Sequence, residues 1–266
     1  MYRIPEFRET RATKVKGLLR LILDKHGYVL WKRNFFHFGI SPFVDMMRLN
    51  TVWGRSLDVI FDVGANVGQF AREVRHELPA ATIYSFEPHP QSFEKLSQAV
   101  AGGLNHPQCL ALSDRIGNVT FYEYGSEGEG SLINSLVPNA RFPVRFGYQS
   151  QAITVQSTTL DHFCASHDIG RLDFLKIDVE GAELSVLKGG AGMLRRGKIM
   201  AIYFEFNDLE PEPGTSGGSL MPIARYLDEF GLRYACTYTD FLLQGDQLHV
   251  VANALFVLPP ERMPPQ

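Results

Sequence analysis

The chain contains no run of 18 apolar residues, and this excludes a membrane-spanning helix. Its apolar stretch from Leu18 to Leu23 is short and broken by Arg20, so it does not make a signal peptide. Cysteine is scarce. Cys109, Cys164 and Cys236 lie far apart, form no metal-ligand spacing and read as the reduced core or strand residues of a cytoplasmic protein. An excess of positive charge is also missing: the net charge of -3 argues against nucleic acid as the main partner. There are no internal repeats and no low-complexity tail beyond the last few residues. What remains is an ordinary globular composition over 266 residues, enough for one α/β domain with a sizeable core.

The most informative stretch is Val59-Ile-Phe-Asp-Val-Gly-Ala-Asn-Val-Gly68. Apolar and β-branched residues run into an acid and then into small residues, which reads as a buried strand ending in a tight turn. Phe70, Val74 and Leu78 follow four apart, on one face of a helix. Strand, glycine turn and helix begin a nucleotide-binding βα unit, in which glycine lets the backbone approach a ligand. The dinucleotide fingerprint is incomplete: Asn66 replaces the middle Gly and Gln69 the third. Asp62, just before the turn, would repel a pyrophosphate and suits a ligand with a cationic amino group. S-adenosylmethionine (SAM) carries an ammonium and a sulfonium and no phosphate. A plain strand-turn-helix without a ligand is the bland alternative.

The next strand, Thr82 to Phe86, ends at Glu87-Pro88. An acid there, about 20 residues past the glycine turn, is placed to bind ribose hydroxyls. A third apolar run ends in Asp178-Val-Glu180-Gly-Ala-Glu183, and a helix follows with Leu184, Leu187 and Ala191 on one side. Three carboxylates at one strand end are costly unless they bind something.

These segments, in order with Ala111-Leu-Ser-Asp114, Thr159-Leu-Asp161, Lys176-Ile177, Phe204-Glu-Phe-Asn207 and Asn253, resemble the FkbM-type SAM-dependent methyltransferases. The likeness runs from about residue 55 to the C-terminus. It implies a class I methyltransferase (Rossmann-like) α/β fold: a seven-stranded, mostly parallel sheet with helices on both faces. It also implies methyl transfer to an oxygen, often a sugar hydroxyl of a glycolipid, glycan or glycosylated natural product, with S-adenosylhomocysteine (SAH) as the product. A non-sugar hydroxyl or an amine is the alternative acceptor.

On this reading Asp62 and Gly64 receive the methionyl amino group, within a turn completed by Asn66 and Gly68, and Glu87 binds the ribose. The resemblance places Ser113 and Asp114 at the adenine and Asp178 beside the methionine. A hydroxyl needs a base or a metal to take its proton. Glu180 and Glu205 are the candidate bases, with Asp178 beside them. The same acids and Asn207 offer hard oxygen ligands to a divalent cation, although no metal site is predicted. Lys176 is expected to pair with a nearby acid, His89 to flank the cofactor, and His37, His162 and His249 to be structural or exposed. Two weaker readings are a SAM-binding scaffold and an NAD-dependent oxidoreductase; Asp62 and the missing third glycine argue against the second.

Residues 1–55 form a basic block ahead of the methyltransferase domain at 56–266. Eleven Lys or Arg against four acids give it +7 and leave -10 for the rest. Val15, Leu18, Leu19 and Ile22 recur at helical spacing. The segment reads either as a helical cap over the sheet edge or as a surface that meets anionic lipid at the inner membrane face or helps hold the acceptor. Strands are predicted at 57–62, 82–86 and 108–112, helices at 69–78 and 90–100, and strand-like runs at 118–122 and 152–155. Two loops, Gly125 to Gln151 with Phe142, Phe146 and Tyr148, and Glu210 to Gly218, read as candidate covers of the acceptor site. Oligomeric state is not legible.

Overall fold

The computed structural model describes residues 38–124, 134–138, 150–207, 209, 218–244 and 247–263. The predicted helix around Val15 to Ile22, His37, the side chain of His249 and most of both long loops lie outside the described residues.

Helix α1 (Pro42–Trp53) opens the described chain. Ser41 accepts a hydrogen bond from the Val44 amide at its start, Pro42 takes a position that needs no amide donor, and Gly54 ends it in a left-handed conformation. Its inner face buries Met46, Leu49 and Trp53 in the main core. There follow β1 (Val59–Val63), α2 (Gln69–Glu77), β2 (Thr82–Phe86), α3 (Pro90–Ala99), β3 (Asn105–Gln108), β4 (Ala111–Leu112), β5 (Gly117–Tyr124), β6 (Ser150–Thr158) and α4 (Leu160–Ser166). The chain continues through β7 (Phe174–Ile177), α5 (Glu183–Gly189), α6 (Ala191–Arg195), β8 (Ala201–Phe206), α7 (Leu220–Glu229), β9 (Arg233–Gln244) and β10 (Gln247–Val257).

Seven strands form one sheet in the order β3-β2-β1-β7-β8-β10-β9. β10 pairs antiparallel with both β8 and β9, and the other pairings in this sheet are parallel. Strand order moves outward one way from β1 to β3 and the opposite way from β7 to β8. Right-handed crossovers therefore put α2 and α3 on one face and α5 on the other. The reversal lies between β1 and β7, and ligands of such sheets bind outside the strand ends at that point. β1 and β7 read as apolar runs because helices cover both their faces: Ile60, Phe61, Phe174, Leu175 and Ile177 are almost wholly buried.

The strand predicted at 108–112 is two strands. Asn105–Gln108 lines the sheet edge, where Pro107 costs no ladder bond. Ala111–Leu112 leaves that sheet and pairs with β6. A second sheet, β4-β6-β5, results, with Phe121 and Val155 buried on it. Of the cysteines, Cys164 and Cys236 are buried, Cys109 is exposed, and all three are free thiols.

Asp161 has a structural role. Its carboxylate accepts the Gly192 amide at 2.6 Å and the Met193 amide at 2.7 Å, at the start of α6. Asp161→Ala is expected to cost about 1–2 kcal/mol, as loss of a helix cap does. Thermal melting should show the loss, while SAH affinity stays at the wild-type value.

Candidate active site

A cleft opens at the carboxyl ends of β1, β2 and β7, the place where ligands of such sheets bind. Its floor is the glycine turn. The Gly64 and Ala65 amides both donate to the Phe86 carbonyl at 3.0 Å, which ties the turn to β2. Gly64 has φ +75, and a Cβ there would sit 1.8 Å from the Asp178 carbonyl oxygen. Gly68 has another reason to be glycine: a Cβ would meet Leu96 of α3 at 2.9 Å, so it allows two helices to pack. Gly64 and Asn66 line the cleft and Gly68 does not.

Glu87 ends β2 at the cleft wall. Its two oxygens accept the Asn66 amide and the His89 amide, each at 2.9 Å. Burial pushes its carboxyl up to about 7 against these bonds. His89 is buried behind it. Nδ1 accepts the Ser92 amide at the start of α3, and Nε2 lies 2.7 Å from Glu123 of β5. The ring thus joins the second sheet to the cleft wall. His162 is exposed.

The third turn carries the acids. Glu180 adopts φ +53 and Gly181 φ +104, and this reversal sets the Glu180 side chain back beside Asp178. Glu183 holds the reversal from below: one oxygen accepts the Val179 amide at 3.3 Å and the Gly181 amide at 3.0 Å. Its other oxygen has no hydrogen-bond partner among the described residues, and burial pushes the carboxyl up to about 7. Glu205 reaches in from β8, opposite Asn253 of β10. Oxygens of Asp178, Glu180 and Glu205 all lie within 4.8 Å of one another. Burial, then repulsion from Asp178 and Glu183, pushes Glu180 up to about 8. Burial, then Asp178 and Glu180, pushes Glu205 up to about 9. A carboxyl held in that range is mostly protonated at pH 7, and its conjugate base, formed as pH rises, accepts a proton more readily than an ordinary carboxylate does. Asn207 is exposed beyond this group, and its amide donates to the Gly218 carbonyl.

Lys176 points the same way from β7 and is 7% exposed. Its Nζ lies 2.9 Å from the Gly64 carbonyl oxygen, 3.1 Å from Asp62 and 3.3 Å from Asp178. The expected pairing with an acid is therefore present, and with two of them. Burial alone would lower the ammonium's pKa, but the two carboxylates outweigh it and hold it above the usual lysine range. Asp62 is fully buried beneath the turn and does not line the cleft.

Of the sequence-derived site residues, the structure brings Gly64, Asn66, Glu87, Asp178 and Glu180 to the cleft wall, with Glu205 beside them. Ser113 and Asp114 are not there. Ser113 is buried, and its hydroxyl meets Ser157 at 2.6 Å and the Arg115 carbonyl at 3.1 Å, which ties β4 to β6. Asp114 turns outward to Arg115, whose guanidinium holds its carboxyl below the usual range. The wall expected from them is made instead by Phe86, Leu110, Leu112, Phe121 and Leu136, with Asn134. Sequence reading missed these apolar residues because Leu112 and Phe121 reach the cleft through the second sheet, a pairing of segments distant in sequence.

Residues 62–234 match the Methyltransferase FkbM domain. The 2-O-methyltransferase NoeI of Sinorhizobium fredii is 29% identical over 178 residues, 64% of this chain and 70% of that protein. The hexuronic acid methyltransferase AglP of Haloferax volcanii is 29% identical over 153 residues, 57% of each chain. The 31-O-demethyl-FK506 methyltransferase FkbM of Streptomyces tacrolimicus is 29% identical over 224 residues, 73% of this chain and 80% of that one. The chain belongs to the FkbM methyltransferase family and is a SAM-dependent methyltransferase, with SAM as cofactor and SAH as product.

Proposed function

We propose that the methyl group is transferred to a hydroxyl oxygen, and that the acceptor is a sugar in a glycolipid, glycan or glycosylated natural product. The observation that carries this reading is the convergence of Asp178, Glu180 and Glu205 within 4.8 Å at the edge of the cofactor cleft. Two of these acids are held at about 8 and 9, where they can accept the proton of a weakly acidic hydroxyl. Relatives named as a 2-O-methyltransferase and a hexuronic acid methyltransferase support both the oxygen and the sugar.

In this reading Glu87 holds the ribose, Gly64 and Asn66 let the cofactor lie against the turn, and Asp178 receives the methionyl amino group. The apolar wall of Leu110, Leu112, Phe121 and Leu136 takes the adenine. The acceptor oxygen attacks the methyl carbon in line as the carbon–sulfur bond breaks. Its electron pair stays on sulfur, and Glu205 or Glu180 takes the hydroxyl proton. Holding the two reactants in line supplies several kcal/mol of the rate enhancement. The basic block at residues 1–55 suits an acceptor presented at an anionic lipid surface; among the described residues no helix is long and apolar enough to cross a membrane.

The same three acids have the spacing of a divalent-cation site, but proton transfer to a carboxylate needs no metal. Transfer activity is therefore expected to survive dialysis against EDTA; its loss, with recovery on adding Mg²⁺, would replace the base by a metal. The relative named as a 31-O-demethyl-FK506 methyltransferase favours a second reading, a non-sugar hydroxyl acceptor. Incubation with methyl-labelled SAM and separate pools of hexosides, hexuronic acid glycosides, glycolipids and aglycone alcohols decides between them. Label in a sugar pool is expected, and label confined to the aglycones would overturn the sugar.

A further inference from the structure

Sequence pattern alone gives the cofactor's amino group to Asp62, the acid before the glycine turn. Geometry puts a cation of the protein's own there. Asp62 and Lys176 are register partners on the adjacent parallel strands β1 and β7, so their side chains lie side by side. Lys176 spends its ammonium on three oxygens, those of Asp62, Asp178 and the Gly64 backbone. The Gly64 carbonyl takes a hydrogen bond at 2.9 Å, and the two carboxylates stand in ion-pair range at 3.1 and 3.3 Å. The Phe70 ring lies 5.8 Å from Nζ and closes another side.

We propose that Lys176 is a positioning residue for the methionine end of SAM: it occupies Asp62, ties the glycine turn to the β7 end, and holds one oxygen of Asp178 so that the other faces the cofactor amino group. The inference rests on the reading of this cleft as the SAM site. Three observations support it. Asp62 does not line the cleft, while Asp178 does and is about one-third exposed. Lys176 is bound to the carbonyl of Gly64, the residue on which a Cβ would sit 1.8 Å from the Asp178 carbonyl oxygen. The charge of Lys176 also reaches Glu87 and Glu180, so one buried cation offsets acids on three strand ends. Asp62 then serves as a counter-ion beneath the site.

Isothermal titration of the full-length protein with SAH tests this, with melting temperatures measured alongside. Asp178→Asn is expected to weaken SAH binding by roughly thirtyfold and Asp62→Asn by only about threefold, since only the first loses a charge-assisted hydrogen bond to the ligand. Lys176→Met alone strands a buried acid and is expected to melt early. The double variant Asp62→Asn/Lys176→Met removes both charges and should recover the melting temperature, yet still bind SAH roughly tenfold more weakly, because Asp178 and Gly64 have lost their tie. Lys176→Arg should recover part of that affinity. The proposal fails if Asp62→Asn loses as much affinity as Asp178→Asn, which would make Asp62 the direct ligand. It also fails if the double variant binds SAH like wild type, which would leave Lys176 a charge balance only. Wild-type protein that does not bind SAH would instead remove the cofactor-site reading itself.

Discussion

Glu205→Gln is expected to lower kcat by roughly 10²–10⁴-fold, the usual contribution of a positioned general base, with SAH affinity little changed because Glu205 does not line the cofactor cleft. Glu180→Gln is the matched comparison, and the larger loss identifies the proton acceptor. The pH dependence has a definite sign. A base must be deprotonated to work, and these two carboxyls are held at about 8 and 9. Wild-type kcat should therefore rise from pH 7 toward 9 and then level off. Stability should move the other way. Glu87, Glu180, Glu183 and Glu205 all have folded values above that of an unfolded glutamate. The folded chain thus holds more protons than the unfolded one between about pH 4.5 and 8–9, and stability is lost as pH rises through that window. A melting temperature that climbs from pH 6 to 9, or a flat rate profile, would contradict the burial and mutual repulsion of these acids.

Gly64→Ala is expected to abolish measurable SAH binding and to cost several kcal/mol of stability. The added Cβ would lie 1.8 Å from the Asp178 carbonyl oxygen, a backbone atom that moves only if β1 and β7 part. Its φ of +75 adds the ordinary left-handed penalty of about 1–2 kcal/mol. Gly54→Ala separates the two effects. Gly54 has φ +62, but nothing lies within 4 Å of its Cβ position. That variant should show the small backbone penalty alone and bind SAH as wild type does. Equal losses in the two variants, by calorimetry and thermal melting, would mean that the close approach of Gly64 to Asp178 is unimportant.

Local signals carried the fold and much of the site into the sequence. The apolar run ending in Asp62 and the glycines, the acid after β2 and the acids after β7 each sit at a strand end, and strand ends are readable from periodicity and turn residues. Helix α2 was predicted at 69–78 and is Gln69–Glu77; β2 was predicted at 82–86 and is Thr82–Phe86. Pairings distant in sequence were not readable. Nothing local in Ala111-Leu112 says that it leaves the main sheet for β6, so the second sheet and the apolar wall it supplies stayed hidden. Ser113 and Asp114 look like a strand end facing a ligand, yet Ser157 and Arg115 take them. Lys176, a charge inside a buried strand, signalled an acidic partner. Which acids it would bind became visible only when β7 lay against β1.

Chemical analysis of the labelled product is the most direct test. After turnover with methyl-labelled SAM and extract from the source cell, the labelled fraction would be hydrolysed in acid and its monosaccharides separated and identified. The expected result is label in an acid-stable methyl ether of a monosaccharide, absent from a reaction with Glu205→Gln protein that still binds SAH. Label recovered as a methylated amine, or on a non-sugar fragment, or formed undiminished by the Glu205→Gln protein, would contradict methyl transfer to a sugar hydroxyl by this group of acids.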